Sequence, residues 1–565
     1  MPDQALPIAN SKWRDQFILF APFGALLLYM FLTLLPVGAL VWIAAHASLD
    51  VWPHLARYVL PTALWDTALL LLLVAVGTII LGAGCAWMTS LCDFPGRKFF
   101  SWALVLPLAV PTYIAAYTHV EFFEYSGPIQ SAVRSLGDFS SGADYWFPDI
   151  RSLGGAGFVF SFVLYPYVYL STRLVFSMQG ASALDVSRTL GAGQFEIFRR
   201  VALPMARPAL AAGAALALME TLNDIGAVEF LGVKTLTYAV FETWLNRNSL
   251  AGAVQLSLLT LIIIGALVLV ERRSRQKRSY ATSTRERPPS LLKLSPLKQV
   301  MCFIACFTPL LLGLGVPLWV LGVFALRRLD DVVSTAVLQA AGNSILVASS
   351  TAVLATLIAY LVLQFGRLSG VKSIATTGRI AGLGYAIPGT VLALGLLVPL
   401  AGFDNWFDGL MRQNFEISTG LMISGSVLVI IYACTLRFMA ISYGTIEAGF
   451  LRITPNIDMA ARALGRNSRE IAWQVHRPIL GKALAVAFLL VFVDTMKELS
   501  ATLLLRPFDF ETLSTFVYDR ASQSALEDAA IASIVIVLIG IIPAHFLSRL
   551  SNTKKTRTLL PAKKG

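Results

Sequence analysis

The sequence predicts an all-α polytopic membrane protein, with twelve helical spans arranged as two pseudo-symmetric halves of six. Three observations predict it. Of 565 residues, 56% are apolar and only 14% charged, with a mean hydropathy of +0.70. Twelve apolar runs are each long enough for a hydrocarbon core, and a polar stretch of 20 residues occurs twice. A soluble globule of this size carries far more charge.

The runs lie near residues 17–45, 62–89, 98–122, 156–178, 207–226 and 250–270 in the first half, and 299–325, 341–365, 376–402, 418–442, 479–500 and 528–548 in the second. The first run exceeds a signal-peptide core, and Lys12 and Arg14 precede it without a convincing cleavage site after it, so it reads as a retained span. Lys and Arg are held on the cytoplasmic side during insertion. With both termini cytoplasmic, inner segments collect most of the 45 Lys and Arg, while acidic residues concentrate outside. The net charge of +12 thus reflects topology in a lipid bilayer, and nucleic acid is an unneeded partner.

The repeated stretch reads DVSRTLGAGQFEIFRRVALP from Asp185 to Pro204 and MAARALGRNSREIAWQVHRP from Met459 to Pro478. At an offset of 274 without a gap, Arg188 matches Arg462, Leu190 Leu464, Gly191 Gly465, Glu196 Glu470, Ile197 Ile471, Val201 Val475 and Pro204 Pro478. Each copy predicts two short cytosolic helices, parted by the glycine and closed by the proline. Gly191 and Gly465 suit a turn of positive φ. Thr454 and Pro455 read as N-cap and first position of one helix, and Ser468 as the N-cap of the next. Asp66 and Asn343, Pro111 and Pro388, and Thr235 and Thr512 repeat at 277 residues. Two parallel copies should pack about an axis along the membrane normal, with the pathway between them.

The expected organisation is a first transmembrane domain over 1–270, a linker over 271–298 and a second transmembrane domain over 299–565. The linker carries nine Lys or Arg with Pro288 and Pro289, as a solvated cytoplasmic segment would. Residues 123–155 form a long outer loop with Glu124, Asp138, Asp144, Asp149, Tyr145, Trp146 and Phe147, either a docking surface or an interfacial aromatic belt. Cys85, Cys302, Cys306 and Cys434 fall in helices and Cys92 in an inner loop, as small apolar residues rather than a disulfide framework.

After each repeated loop comes a span whose copies align ALAAGAALALMETLND, ending at Asp224, with ALAVAFLLVFVDTMKE, ending at Glu498. Spacing puts Glu220 and Asp224 on one helical face, and likewise Asp494 and Glu498. Glu220 should lie about 20 Å into a core of about 30 Å. A carboxylate facing lipid at that depth costs a few kcal/mol, so it should face a wet cavity or a partner. Two readings stand. These acids, with Asn223 and Lys497, line the outer part of a translocation path for a cationic cargo, or they cap and pair at helix ends.

The repeated pattern, with its spacing of Gly191 or Gly465 to Pro204 or Pro478, resembles the EAA loop of permeases of binding-protein-dependent ABC importers. Asp185, Val186 and Ser187 stand at the Glu-Ala-Ala positions of the first copy, and Met459, Ala460 and Ala461 at those of the second; Arg477 replaces the usual Leu before Pro478. Two fused halves, with METLNDIGAVEFLGVKTLT from Met219 and KELSATLLLRPFDFETLSTFVYDRAS from Lys497, resemble the ferric iron permeases of that superfamily. Fused permeases for thiamine and phosphonates are similar in layout, and a polyamine remains a further cargo.

The resemblance implies the type I importer permease fold in a bacterial inner membrane. Loops 181–206 and 454–480 would seat in two copies of a cytoplasmic ABC ATPase through Asp185, Arg188, Gly191, Glu196 and Pro204, and Ala460, Ala461, Arg462, Gly465, Glu470 and Pro478. It also implies a periplasmic substrate-binding protein, and no homodimer because both halves are fused. The sequence has no GxxxxGKS/T phosphate loop, so ATP and Mg belong to the partner ATPase and the chain itself is no enzyme and binds no cofactor.

Twelve spans with a basic centre also describe a major-facilitator transporter. Asp93, Gly96, Arg97 and Lys98 match its inner-loop motif in part, but a tight turn explains them more simply, and that family has no reason to repeat a 20-residue loop. A passive channel finds no filter-like repeat. The histidines, at 46, 54, 119, 476 and 545, have no metal-ligand spacing, so no resident metal site is expected.

Overall fold

A computed structural model describes residues 30–48, 50–178, 191, 193–276, 291–328, 334–369, 384 and 387–552. These residues are overwhelmingly helical. Among them, nine helices are long and apolar enough to cross a membrane, or ten when the pair Arg97–Ala109 and Thr112–Gly137, bent by 97°, counts as one. Shorter apolar helices at Met30–His46 and Leu250–Ala266 stand at the first and sixth expected runs. Each of the twelve runs thus overlaps a described helix, which is compatible with twelve spans. The bend in the third comes at Pro111, which precedes a helix as Pro388 does in the second half. Of the ninth run, residues 376–383, 385 and 386 lie outside the described residues, and its described helix runs from Gly389 to Phe415.

In chain order the first half contributes α1 (Met30–His46), α2 (Leu60–Leu91), α3 (Arg97–Ala103), α4 (Thr112–Phe123), α5 (Pro128–Gly137), α6 (Leu153–Met178), α7 (Leu203–Asn223), α8 (Gly226–Phe230), α9 (Leu236–Leu245) and α10 (Leu250–Gln276). The second contributes α11 (Pro296–Leu310), α12 (Val316–Arg327), α13 (Thr335–Ser369), α14 (Gly389–Phe415), α15 (Val427–Phe450), α16 (Pro455–Ala463), α17 (Arg477–Met496), α18 (Ser500–Leu505), α19 (Leu513–Ser522) and α20 (Leu526–Asn552). Among the described residues the strands are β1 (Cys92–Asp93) and β2 (Leu292–Lys293), which pair in parallel. The linker therefore ends by docking on the loop after α2.

The chain forms two compact units, each drawing on both sequence halves: Met1–His46, Val347–Ile387 and Leu392–Thr495 make one, and Ala47–Leu346, Pro388–Val391 and Met496–Gly565 the other. In the smaller unit, α1 lies on second-half helices. Tyr432 Oη donates to the Leu32 carbonyl at 2.6 Å, and a Cβ on Gly395 would come within 2.6 Å of the Pro36 carbonyl oxygen. In the larger unit, the seventh span lies on first-half helices: Phe303 meets Phe100 edge-on at 5.2 Å, and Trp319 meets Phe122 at 5.4 Å. The opening span of each half thus packs on the other half, a reciprocal exchange that pattern alone does not reveal.

Within the larger unit the repeat appears as paired hydrogen bonds. Thr67 Oγ1 accepts from Leu236 N at 2.9 Å, and Ser344 Oγ accepts from Leu513 N at 2.7 Å. Asp66 accepts from Lys234 N at 3.3 Å, while Asn343 donates to the Glu511 carbonyl at 2.9 Å. Thr235 and Thr512 cap α9 and α19. The segment after each repeated loop is thereby tied to the start of the second span of its own half.

Candidate functional site

The second repeated loop lies wholly within the described residues. Thr454 precedes α16 with Pro455 at its first position, as the sequence indicates, although the Thr454 side chain makes no capping bond. The helix ends in a left-handed turn at Gly465, φ +76, where Gly465 N donates to Arg462 O at 3.0 Å and Arg466 N to Ala461 O at 3.1 Å. Gly191 likewise has a positive φ, +81. The next cap is Asn467 rather than Ser468. Asn467 is the extended residue, its Oδ1 accepts from Glu470 N at 2.9 Å, and Glu470 Oε2 accepts from Asn467 N at 3.1 Å, a closed capping box.

Both copies then widen into a π-turn, Phe198–Ala202 and Ile471–His476. Pro204 and Pro478 lack an N–H, so the carbonyl four residues back loses its helical partner, and the turn reopens around it. Ala460, Arg462, Gly465 and Pro478 are exposed, Glu470 is half-buried and Ala461 is buried. Met459 and Leu464 stand out, 60% and 82% exposed. In the first copy Gly191 and Glu196 are exposed and Pro204 half-buried. Glu196 pairs with Arg200 at 2.6 Å on the surface, an arrangement worth under about 1 kcal/mol. Asp185 and Arg188 lie outside the described residues.

Behind the second loop sits a charged cluster that sequence reading missed. Arg367, in the last turn of α13, donates through Nε to Asp458 Oδ2 at 2.7 Å. Its two terminal nitrogens donate to Phe450 O at 3.2 Å and Ile453 O at 2.8 Å. His476, fully buried, donates from Nε2 to Asp458 Oδ1 at 2.6 Å and places Nδ1 2.9 Å from the Gln364 amide oxygen. Tyr360 Oη donates to Ala472 O in the π-turn at 2.9 Å. Partial burial pushes the Asp458 carboxyl up, but the hydrogen bonds from His476 and Arg367, with the Arg367 charge, outweigh it and hold the pKa below the ordinary carboxylate value.

The deep acids divide by role. α7 ends at Asn223, and Asp224 turns out of the helix at ψ 119, so it leaves the face of Glu220 that spacing alone suggested. Asp224 accepts from Thr112 Oγ1 and from Ala227 N, the latter at 2.7 Å. Glu498, likewise past the end of α17, accepts from Ala501 N at 2.8 Å, Thr502 N at 3.0 Å and Thr502 Oγ1 at 2.7 Å. Each carboxylate caps the short helix after it, α8 or α18. Ser500 Oγ donates to Asn223 O at 2.8 Å, joining the two segments. Asn223 is 2% exposed, and its amide oxygen and nitrogen lack protein partners. Glu220 and Lys497 are half-buried in the larger unit, and Asp494 is half-buried in the smaller. Among the described residues no three His, Cys, Asp or Glu gather as a metal ion requires.

Residues 78–276 match the family described as binding-protein-dependent transport system inner membrane component. The chain is 26% identical over 495 residues to the Fe(3+)-transport system permease protein FbpB 2 of Haemophilus influenzae, covering 86% of this chain and 89% of that one. The chain is an ABC-importer permease. This permease is also 29% identical over 209 residues to the sulfate transport system permease protein CysT of Salmonella typhimurium, 37% of this chain and 72% of the relative. It is 27% identical over 260 residues to a probable molybdenum ABC transporter permease protein of Haloferax volcanii, 46% of this chain and 89% of the relative.

Such permeases are the membrane component of the importer and not its catalyst. One further residue of this permease escaped sequence reading: Arg437, 7% exposed in the middle of α15, with its guanidinium 5.5 Å from the Phe438 ring. The signal was present, a single cation within the apolar stretch from Val427 to Ala440.

Proposed function

We propose that this permease imports ferric iron handed over by a periplasmic binding protein. In this reading two copies of a cytoplasmic ABC ATPase seat on loops 181–206 and 454–480 and hydrolyse ATP with Mg, and both chain termini face the cytoplasm. The observation that carries the cargo is length: the ferric relative matches across 86% of the chain, both fused halves included, whereas the sulfate and molybdenum relatives match 37% and 46% of it. With Asp224 and Glu498 occupied as helix caps, Glu220 and Asp494, each half-buried within its own helix, are the acids that suit a cationic cargo. The exposed apolar residues Met459 and Leu464 on a cytosolic turn suit a protein partner.

The competing cargo is an oxyanion, favoured by the names of the shorter-matching relatives and by the buried Arg437 cation. Proteoliposomes holding the full complex decide between them. Uptake of labelled ferric iron that depends on ATP and is unaffected by excess sulfate or molybdate supports iron, and uptake of labelled molybdate or sulfate in its place rejects it.

A further inference from the structure

The second of the two repeated loops is anchored by charge at its root. In the second half, Arg367 and His476 meet on the two oxygens of Asp458 and so join the last turn of α13, the turn after α15, the first turn of α16 and the π-turn leading into α17. Phe450, whose carbonyl accepts from Arg367, also meets the His476 ring edge-on at 5.8 Å. At the matching places of the first half stand Ser90, Leu184 and Ala202, with Trp87 in place of Gln364. There Trp87 packs against Phe176 at 5.9 Å and Phe198 at 5.1 Å.

The two kinds of contact differ mechanically. Ring contacts keep their attraction over a range of distances and tilts. A guanidinium bound at once to a carboxylate and to two loop carbonyls has one satisfactory geometry, and a histidine on the second carboxylate oxygen removes the remaining freedom. Displacing α16 without α13 therefore breaks several charge-assisted bonds together, so a push on the loop passes into the span.

We propose that Arg367, Asp458 and His476 are positioning residues that make the second loop a stiff lever, through which ATPase closure drives the pore. This rests on the reading of the loops as ATPase seats. The clamp touches neither cargo nor nucleotide; it sets how much loop movement reaches the membrane.

The test uses the full complex in proteoliposomes, with Asp458→Asn and His476→Gln chains compared with the unaltered one for ATP hydrolysed and cargo taken up. Leu464→Cys, on the exposed turn, reports seating by cross-linking to the ATPase. With the cross-link and hydrolysis retained, uptake per ATP should fall about fivefold or more, and Asp458→Glu should restore part of it. The same variants should speed amide exchange at Gly465 and Arg466 while leaving Ile197 unchanged. An unchanged ratio of uptake to hydrolysis overturns the clamp, including the case in which both fall together. If Asp458→Asn fails to assemble, His476→Gln, which keeps the size and a donor, gives the same ratio. Absence of a cross-link in the otherwise unaltered chain overturns the seating reading instead.

Discussion

Asp224 and Glu498, 274 residues apart, do the same work in the two halves: each leaves the end of a span and caps the short helix that begins two residues later. Glu498 holds three donors and is 5% exposed. Glu498→Ala leaves those donors without an acceptor and should cost about 1–3 kcal/mol, whereas Glu498→Gln, which keeps an acceptor oxygen, should cost less. Thermal unfolding of the purified chain in detergent measures the difference. Equal destabilisation by the two substitutions would mean that charge, not capping, is what matters there.

Glu220 and Asp494 stay within their helices and are half-buried. They are the acids whose charge the path should need. Glu220→Gln and Asp494→Asn chains should assemble and melt normally, yet import a cationic cargo several-fold more slowly. Undiminished uptake by both would take them off the path.

Much of the permease was legible because its information is local and doubled. The glycines 191 and 465 and the prolines 204 and 478 announce themselves by residue type and recur at a fixed offset, and Thr235 and Thr512, which the offset alone singled out, are caps in the structure. What escaped was tertiary. Asp458 stands one residue before the repeat and looks like an ordinary first-turn acid; only the fold brings Arg367 to it across 91 residues. His476 read as one of five scattered histidines until its ring was seen between Asp458 and Gln364. Asp224 was assigned to a helical face because spacing cannot show that the helix stops one residue earlier.

The paired bonds at the starts of the second spans offer a symmetric test. Thr67→Ala and Ser344→Ala each remove the acceptor for a buried backbone N–H, of Leu236 and Leu513. Each should lower stability by about 1–3 kcal/mol. Because the pairs share no partner, their effects should add. Unfolding of the double variant checks it; a sum exceeded by more than about 0.5 kcal/mol would show coupling between the two ends.

The Asp458 pair is 16–19% exposed, so breaking it should cost more than the under 1 kcal/mol of a surface pair and less than the roughly 3–5 kcal/mol of a fully buried one. Its folded pKa is depressed, so the stabilisation is complete above the unfolded value of about 3.9 and is lost as pH falls through the folded value beneath it. The stability gap between the unaltered chain and Asp458→Asn should therefore be flat from about pH 7 to 5 and shrink only below about pH 4. Melting curves across that range test it, and a gap already closed at pH 6 contradicts the assignment.

The loop over residues 123–155, read from the sequence as an outer one, is built rather than loose. Arg134 donates to Tyr145 Oη at 3.0 Å, Tyr145 donates to Gln130 at 2.7 Å, and Arg151 bonds Glu124 at 2.9 Å. Hydrogen bonds from Ser141 and Ser140 hold the Asp144 carboxyl below its ordinary pKa, so the turn keeps its charge. On this frame Trp146 and Leu136 are 86% and 88% exposed. A rigid loop that displays a tryptophan to water gains most by burying it against a soluble partner, where such residues dominate binding energy. Trp146→Ala should weaken capture of the periplasmic binding protein by about tenfold without shifting the melting temperature. If the ring sits in the lipid interface instead, binding will be unchanged and the quenching of Trp146 fluorescence by interfacial probes will be lost.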